Sequence, residues 1–355
     1  MNETLLRTEE LTRHFRLGGL LGKRVLHAVD GVNLEIGRRE IVALVGESGS
    51  GKSTIARLLA MVYKPTAGEI YFEGRPLSGL RSRKDRLEYR GNVPMVFQDP
   101  YSSINPAYRV SHGLMRGMKL HRPDLTRRQR AEEAERMMNA VGLVPADVML
   151  RKFPYEMSGG QRQRVGFAQA LAYRPKLILA DEPVSMLDVS IRIGLLNVMT
   201  ELREQEDVSF LYITHDVASA RYIADRVVVM YAGHIVEEGP TEDVLQRPKH
   251  PYTQLLVSAV PDPKTVTTVS ASGDASEPPK VVDPKEGCRF QPRCPFAIPA
   301  CETVTPQLRA IGDARLAACH VARTDEPEEA TTTVSPAATD GPADLDANST
   351  TTPQG

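Results

Sequence analysis

One short segment limits the possible folds of this chain more than any other. Residues 46–53, Gly46-Glu47-Ser48-Gly49-Ser50-Gly51-Lys52-Ser53, fit the pattern G-x-x-x-x-G-K-[ST]. The apolar run REIVALV precedes this loop, and the helical pattern STIARLLAMV follows it. Strand, glycine loop and helix in this order are what a parallel sheet with covering helices requires. We therefore predict an α/β fold of the P-loop type.

The same loop predicts a nucleotide site. Glycines let backbone N–H groups turn inward around phosphates, and the N-terminus of the following helix favours negative charge. Lys52 would reach the β- and γ-phosphates of ATP, and the Ser53 hydroxyl would bind Mg²⁺. Thr54 completes the predicted ATP-binding residues, which are 46–54.

Two adjacent carboxylates supply the second part of the site. Asp181 ends the apolar run LILAD, which places it at the carboxyl end of a buried strand. A carboxylate at that position organises Mg²⁺ in an open α/β sheet. Glu182 follows directly, and we expect it to orient and deprotonate the attacking water.

The rest of the first 262 residues alternates between strand and helix signals. Short strands are expected between residues 4 and 45 and at 177–181, 210–215 and 226–231. Residues 99–160 are expected to form a mainly helical insertion. In it, Thr126 and Gln129 form a capping box that opens a helix, and Gly142 ends that helix.

Composition limits where this protein acts. The net charge of −1 gives no overall basic surface, so nucleic acid is not an expected partner. The first fifteen residues are too polar for a signal peptide, and no stretch approaches the roughly 18 apolar residues of a membrane helix. We expect a cytoplasmic protein whose role at a membrane requires a partner.

The last quarter of the chain, from residue 263, differs in composition from the rest. Residues 263–286 are rich in Thr, Ser, Pro and Asp and are predicted to be a linker between domain 1–262 and a cysteine segment, 287–323. Residues 324–355 contain acidic residues, Thr, Pro and Ala but no Lys or Arg, and are predicted to be disordered.

Further motifs resemble those of the ABC ATPases. Ser158-Gly159-Gly160-Gln161 resembles their signature, although Met157 stands before it where Leu is usual. Gln98 resembles the Q-loop glutamine, and His215 resembles the switch histidine. The segment 185–188 resembles the D-loop, with Met186 in place of the usual Ala and with Asp188 retained. Together with the glycine loop and the Asp-Glu pair, these motifs occur in the order found in the family.

The resemblance implies a mechanism. Two such domains would pair head to tail, and each ATP would lie between one glycine loop and the partner's Ser158, Gly159, Gly160 and Gln161. Gln98 would contact Mg²⁺ and the attacking water on the side of the membrane partner. His215 would hold the γ-phosphate and the base in register. Phe15 is a candidate for stacking on adenine, with a core position as the alternative.

A finer resemblance is to the ATP-binding subunits of dipeptide and oligopeptide importers, and to the second of their two ATPase subunits. It rests on VGESGSGKST, VFQDPYSSINP, MSGGQRQRVGFAQAL, ADEPVSMLDVS and HPYTQLLVSAVP. It implies a peripheral position at the cytoplasmic face of the membrane. The implied partners are a second ATPase, two permeases and an external solute-binding protein. Alternatives are an importer for oligosaccharides or metals, an exporter, and a non-transport ABC ATPase that acts on ribosomes or DNA.

The four cysteines form the pattern C-x₅-C-x₆-C-x₁₇-C at Cys288, Cys294, Cys301 and Cys319. These spacings are wider than the C-x₂₋₄-C pairs of zinc ribbons. Four thiolates and a Cys-Pro step fit a [4Fe–4S] cluster better, and the family resemblance implies such a cluster. Zinc is the second alternative and unligated thiols are the third. The expected role of the cluster is to fold a segment too small for its own core. His320 is a possible spare ligand or an ordinary surface histidine.

Overall fold

The computed structural model describes residues 3–18, 24–99, 104–259, 281–312 and 314–322. Over these ranges the strands are β1 (Thr4–Leu17), β2 (Arg24–Val32), β3 (Glu35–Gly37), β4 (Ile41–Val45), β5 (Ala67–Phe72), β6 (Arg75–Pro76), β7 (Met95–Val96), β8 (Leu177–Asp181), β9 (Ser209–Thr214), β10 (Arg226–Tyr231), β11 (His234–Pro240), β12 (Arg309–Gly312) and β13 (Arg315–Ala317). The α-helices are α1 (Lys52–Leu59), α2 (Arg83–Asn92), α3 (Val110–His121), α4 (Arg127–Ala140), α5 (Ala146–Arg151), α6 (Gly159–Leu171), α7 (Val189–Gln205), α8 (Val217–Ile223), α9 (Thr241–Gln246), α10 (Pro251–Ser258) and α11 (Ala300–Thr303).

The larger of two sheets carries the predicted nucleotide loop. Within the described ranges its strand order is β12-β13-β11-β10-β4-β9-β8-β7. Strands β10, β4, β9, β8 and β7 are parallel, and β11 to β13 extend the sheet antiparallel. Because β4 lies between β9 and β10, the loop that follows β4 leaves the sheet near its centre. The carboxyl ends of β8 and β9 lie beside it, which is where ligands bind in open α/β sheets.

The central strands are buried on both faces, which explains their uninterrupted apolar sequences. Along β4, Ile41, Ala43 and Val45 pack into one hydrophobic core, and Val42 and Leu44 pack into the other. Strands β8 and β9 alternate between the two cores in the same way. The strands predicted at 177–181 and 226–231 are confirmed, and the strand predicted at 210–215 lies at 209–214.

The smaller sheet is antiparallel and is formed from β1, β2, β3, β5 and β6 within the described residues. The long strand β1 pairs with β2 through its C-terminal half and with β3 and β5 through its N-terminal half. This pairing brings the C-terminal half of β1, and Phe15 with it, next to β2.

The helical insertion contains α3, α4 and α5. The predicted capping box is present, because Thr126 Oγ1 accepts a hydrogen bond from the Gln129 N–H and Gln129 Oε1 accepts one from the Thr126 N–H. Helix α4 ends at Ala140, and Gly142 follows with a left-handed φ of 69°. Glycine adopts this conformation without the penalty of a Cβ atom.

The cysteine segment is joined to the main sheet. Strand β13 pairs with β11, and the buried Arg315 of β13 forms an ion pair of 3.0 Å with the fully buried Glu237 of β11. Residues 281–283, which the sequence placed in the linker, pair with β2: the His27 N–H donates to Val281 O at 2.9 Å. Most of the predicted linker, 263–280, and the predicted tail, 324–355, lie outside the described residues.

Within the described part of the chain, no helix is long and apolar enough to cross a membrane.

Candidate functional site

A cleft of about 790 Å³ opens above the carboxyl ends of β4, β8 and β9. It contains most of the residues predicted to bind ATP, together with the predicted catalytic residues. Its lining includes Phe15, Gly46, Glu47, Ser48, Gly49, Gly51, Lys52, Ser53, Thr54, Gln98, Glu182 and His215. Two predicted residues, Ser50 and Asp181, are buried and do not line the cleft.

The glycine loop has a conformation that only glycine permits at its last turn. Gly51 has a φ of 110°, and a Cβ atom there would lie 2.2 Å from the Ala28 carbonyl oxygen. Because Gly51 lacks that atom, the loop can approach β2 closely before α1 begins at Lys52. The first turn of α1 then presents free N–H groups toward the cleft.

Lys52 is held inside the loop by backbone oxygens. Its Nζ donates to Gly46 O at 2.7 Å and to Glu47 O at 2.8 Å. Burial lowers the pKa of Lys52 to about 8, and the nearby carboxylates of Glu182, Asp181 and Glu47 oppose that shift. The ammonium group is therefore mostly charged at neutral pH, and it is placed where a phosphate would replace the loop oxygens as its partner.

Ser53 and Asp181 form an oxygen pair suited to Mg²⁺. The Ser53 hydroxyl donates to Asp181 Oδ1 at 2.8 Å. Burial raises the pKa of Asp181, while the hydrogen bond from Ser53 lowers it. A buried carboxylate beside a hydroxyl, at the edge of a phosphate-binding loop, is the hard oxygen donor set that Mg²⁺ prefers. These residues fit the metal that the sequence predicts.

Two of the predicted catalytic side chains, Gln98 and His215, contact the carboxylate of the third, Glu182. Gln98 Nε2 donates to Glu182 Oε2 at 3.0 Å, and His215 Nδ1 lies 3.3 Å from the same oxygen. Glu182 has a φ of 47°, and its N–H donates to Ile213 O at 2.9 Å. This left-handed backbone turns Glu182 away from the direction of Asp181, so the two adjacent carboxylates can serve different tasks.

Phe15 lies at the cleft and is only partly buried. The Arg13 guanidinium lies 4.5 Å from its ring centre, and Tyr63 makes an edge contact at 5.4 Å. The two sequence interpretations of Phe15 were a core residue and an adenine-stacking residue. The structure places Phe15 in the lining of the cleft, together with Ala28 and the glycine loop.

The predicted signature is described by the structure but does not line the cleft. Ser158 is the N-cap of α6: its Oγ accepts from the Gln161 N–H, and Gln161 Oε1 accepts from the Ser158 N–H. A Cβ atom on Gly160 would lie 2.5 Å from Ile191, so the signature packs closely against the start of α7.

An apolar surface borders the signature and the predicted D-loop. Met186, Val189 and Ile193 are 64%, 68% and 44% exposed, and Asp188 is exposed between them. Large apolar side chains that are exposed together at a motif mark an interaction surface more often than an ordinary face.

The four cysteines lie near one another and carry free thiols. Burial raises the pKa of Cys288, Cys294 and Cys319, and the charges of the neighbouring cysteines raise these pKa values further. Backbone N–H groups point at these same three sulfurs. Cys319 is buried, whereas Cys288 and Cys294 are partly buried. His320 Nε2 lies 2.8 Å from Val304 O.

Several residues that hold the glycine loop in place are not indicated by the sequence motifs. Tyr252 Oη accepts a hydrogen bond from the Glu47 N–H at 2.8 Å, and Arg293 of the cysteine segment forms an ion pair with the Glu47 side chain. Leu256 and Val281 line the cleft. The sequence signal for Tyr252 and Leu256 is the family resemblance of the HPYTQLLVSAVP segment, and the signal for Arg293 is its place between two cysteines.

Comparison with family models gives two matches. The model described as ABC transporter matches residues 29–185, which include the glycine loop, Gln98, the signature and the Asp-Glu pair. The model described as the C-terminal region of oligopeptide/dipeptide transporters matches residues 236–301.

Curated relatives are similar along nearly their whole length. A probable peptide ABC transporter ATP-binding protein of Sinorhizobium fredii is 42% identical over 90% of this chain and 91% of its own length. The oligopeptide transport ATP-binding protein AppF of Bacillus subtilis is 40% identical over 90% of this chain and 98% of its own.

Solved structures show the same core fold. The cbiO1 protein of Clostridium perfringens, part of the ABC transporter complex cbiONQ, aligns with a TM-score of 0.60 at 26% identity, over 69% of this chain and 92% of that chain. The dimeric bacterial ABC transporter cassette MJ0796 aligns with a TM-score of 0.59 at 26% identity, over 67% of this chain and 99% of that chain.

Proposed function

Because this chain belongs to the family of ABC transporter ATP-binding proteins, in the group with the oligopeptide/dipeptide transporter C-terminal region, we propose that it is the ATP-hydrolysing subunit of an importer for dipeptides and oligopeptides. One observation carries the catalytic part of this proposal: Gln98 and His215 both contact one carboxylate oxygen of Glu182 beside the glycine loop. The names of the relatives that match over nine-tenths of the chain support peptides as the solute.

The residues of the cleft divide the work of hydrolysis. The loop N–H groups and Lys52 bind the phosphates, and Phe15 stacks on adenine. Glu182 accepts the proton of the attacking water, Gln98 orients that water, and His215 holds the γ-phosphate near it. Ser53 and Asp181 would hold Mg²⁺, which neutralises charge on the phosphates when bound.

The cleft is completed by a partner ATPase domain. Ser158 and Gly159 are at the N-terminus of α6, far enough from the chain's own cleft that neither lines it. In a head-to-tail pair they would meet the γ-phosphate in the partner's cleft, where the helix N-terminus favours its charge. The exposed apolar side chains of Met186, Val189 and Ile193 would be covered in that pair. We propose that the partner is a second, related ATPase, so that the pair is a heterodimer.

A groove in the helical insertion is the proposed contact with the permeases. It has a volume of about 570 Å³ and is lined by apolar, aromatic and basic residues, among them Ile104, Tyr108, Arg109, Arg116 and Leu120. Tyr108 is 50% exposed and Leu120 is 53% exposed. These features suit a short amphipathic permease helix with an acidic end. The protein would then be peripheral, on the cytoplasmic face of the membrane, with an external binding protein supplying the solute.

We also propose that Cys288, Cys294, Cys301 and Cys319 hold a [4Fe–4S] cluster. The proposal rests on four cysteines in one segment, whose spacing is wider than the C-x₂₋₄-C pairs of zinc ribbons. Backbone N–H groups also donate to three of the four sulfurs. Cys294→Ser should abolish bound iron, measured by elemental analysis, and should make residues 287–322 sensitive to protease; unchanged iron content would refute the cluster.

The catalytic assignment is tested by Glu182→Gln in the assembled complex. The variant should keep its ATP affinity and hydrolyse ATP about 10²- to 10⁴-fold more slowly, because the amide cannot accept the proton of water. Glu132→Gln is a matched control, since Glu132 is an exposed residue on α4 whose ion pair, among the described residues, is the exposed one with Arg128. Equal turnover of Glu182→Gln and wild type would remove Glu182 from the mechanism.

The transport assignment is tested by purification from native membranes. The importer predicts recovery with two permeases and a second ATPase, and peptide-stimulated ATP hydrolysis once the binding protein is added. Stimulation by an oligosaccharide or a metal instead would change the solute. Recovery alone, or with ribosomes or DNA, would refute the importer.

A further inference from the structure

The loop between Cys288 and Cys294 contacts the nucleotide loop directly. Arg293 Nη1 lies 3.0 Å from Glu47 Oε2, and Arg293 Nη2 lies 3.2 Å from Glu47 Oε1. This is a two-bond, fork-to-fork ion pair between positions 246 residues apart in the sequence. The side chains are 17% and 25% exposed, so the pair is partly shielded from water. Bidentate, partly buried pairs of this kind fix geometry as well as add energy.

Glu47 is well placed to pass this constraint to the phosphates. Its N–H donates to Tyr252 Oη at 2.8 Å, and its carbonyl oxygen accepts from Lys52 Nζ at 2.8 Å. Arg293 therefore fixes the side chain of a residue whose backbone already contacts the phosphate-binding lysine. Since Glu47 neutralises the guanidinium, Arg293 acts through the position of the loop and not through its own charge on ATP.

A second arginine of the same loop supports the neighbouring turn. Arg289 donates to Asp30 on β2 and to Ala232 O, in the turn between β10 and β11. The Gly233 N–H of that turn donates to Ser50 O of the glycine loop at 2.9 Å. Although burial alone would raise it, the pKa of Asp30 is lowered by hydrogen bonds from His234, His27 and Arg289, so the carboxylate is charged at neutral pH.

Each of the two arginines is adjacent in the sequence to a cysteine of the proposed cluster. Arg289 follows Cys288, and Arg293 precedes Cys294. The 3₁₀ turn Gln291–Arg293 connects them, so its position depends on where the two sulfurs are held.

We propose that Arg293 is a positioning residue for ATP: from the cysteine segment it holds Glu47, and through Glu47 the glycine loop, in the conformation that binds phosphates. This inference rests on the proposed ATP site. It assigns the cysteine segment a role in the nucleotide site in addition to its own folding.

The test is the affinity of the full-length protein for a fluorescent ATP analogue with Mg²⁺. Arg293→Gln should raise the Kd about tenfold, the usual effect of losing a shielded charge-assisted pair. The exchange variant Glu47→Arg/Arg293→Glu should recover most of the loss, because it restores the pair in reverse. In the assembled complex, KM for ATP should rise more than kcat falls, since Arg293 contacts neither Glu182 nor His215.

Arg309→Gln is the matched control. Arg309 lies in the same segment and donates to Cys319 O and Ala322 O at 3.3 and 2.7 Å, so its loss loosens the segment without touching the glycine loop. An equal loss of affinity in Arg309→Gln and Arg293→Gln, or no recovery in the exchange variant, would overturn the positioning role. Failure of the wild-type protein to bind ATP at all would refute the proposed function itself.

The link to the cysteines has its own test. Cys294→Ser should raise the Kd for the same analogue, and adding Arg293→Gln should raise it little further, because both changes disrupt one contact. Fully additive effects would show that Cys294 does not act through Arg293 and would refute that link.

Discussion

The buried ion pair between β11 and β13 allows a quantitative prediction about how the cysteine segment is attached. Glu237 is 0% exposed and Arg315 is 2% exposed. In Arg315→Met the carboxylate would stay buried without its cation, which costs about 3–5 kcal/mol in comparable cases. The Lys249 and His250 N–H groups still donate to Glu237, at 3.0 and 2.8 Å. These two bonds place the expected loss at the lower end, about 3 kcal/mol.

A loss of about 3 kcal/mol corresponds to a decrease in Tm of roughly 6–12 °C for a domain of this size. It can be measured by scanning calorimetry without nucleotide, with limited proteolysis of residues 287–322 as a second readout. The double variant Arg315→Met/Glu237→Gln removes both charges and should recover most of the loss. A Tm of Arg315→Met within 2 °C of wild type, or a double variant as unstable as the single one, would refute the reasoning.

Three further predictions concern the site and its support. Burial lowers the pKa of His250 to about 4, below its unfolded value of about 6.5. Because the unfolded chain binds the proton more readily, the folded protein loses stability as pH falls from 6.5 to 4. His250→Asn keeps a cap acceptor and should remove up to about 3 kcal/mol of the acid-induced loss in unfolding free energy, measured by denaturant unfolding at pH 7 and pH 4; an unchanged loss would contradict this. Because the pKa of Lys52 is about 8, ATP affinity should fall up to about tenfold per pH unit above 8, and Lys52→Arg should abolish this decline in Kd measurements between pH 7 and 9. Gly51→Ala should weaken ATP binding at least about tenfold, since its Cβ would clash with the Ala28 carbonyl, whereas Gly79→Ala should not, since its Cβ would make only an ordinary contact with Pro76 at 4.0 Å.

The sequence determined the features that depend on neighbouring residues. The central strands were readable because a strand buried on both faces must be apolar at every position. The positions of the glycine loop, Lys52 and Asp181 could be predicted from the sequence because they lie where a strand ends or a helix begins. The capping box at Thr126 and the stop at Gly142 were readable because each satisfies backbone groups within one helical turn.

Tertiary structure decided which distant segments meet. Nothing in the local pattern showed that Phe15 would face the cleft and not the core. The same holds for the pairing of residues 281–283 with β2, the addition of β13 to the main sheet and the contact of Arg293 with Glu47. These contacts join positions up to 258 residues apart, as between Val25 and Asp283. Their energy comes from burial and charge pairing that exist only after the sheet has formed. For this reason the periodicity of the sequence does not predict these contacts.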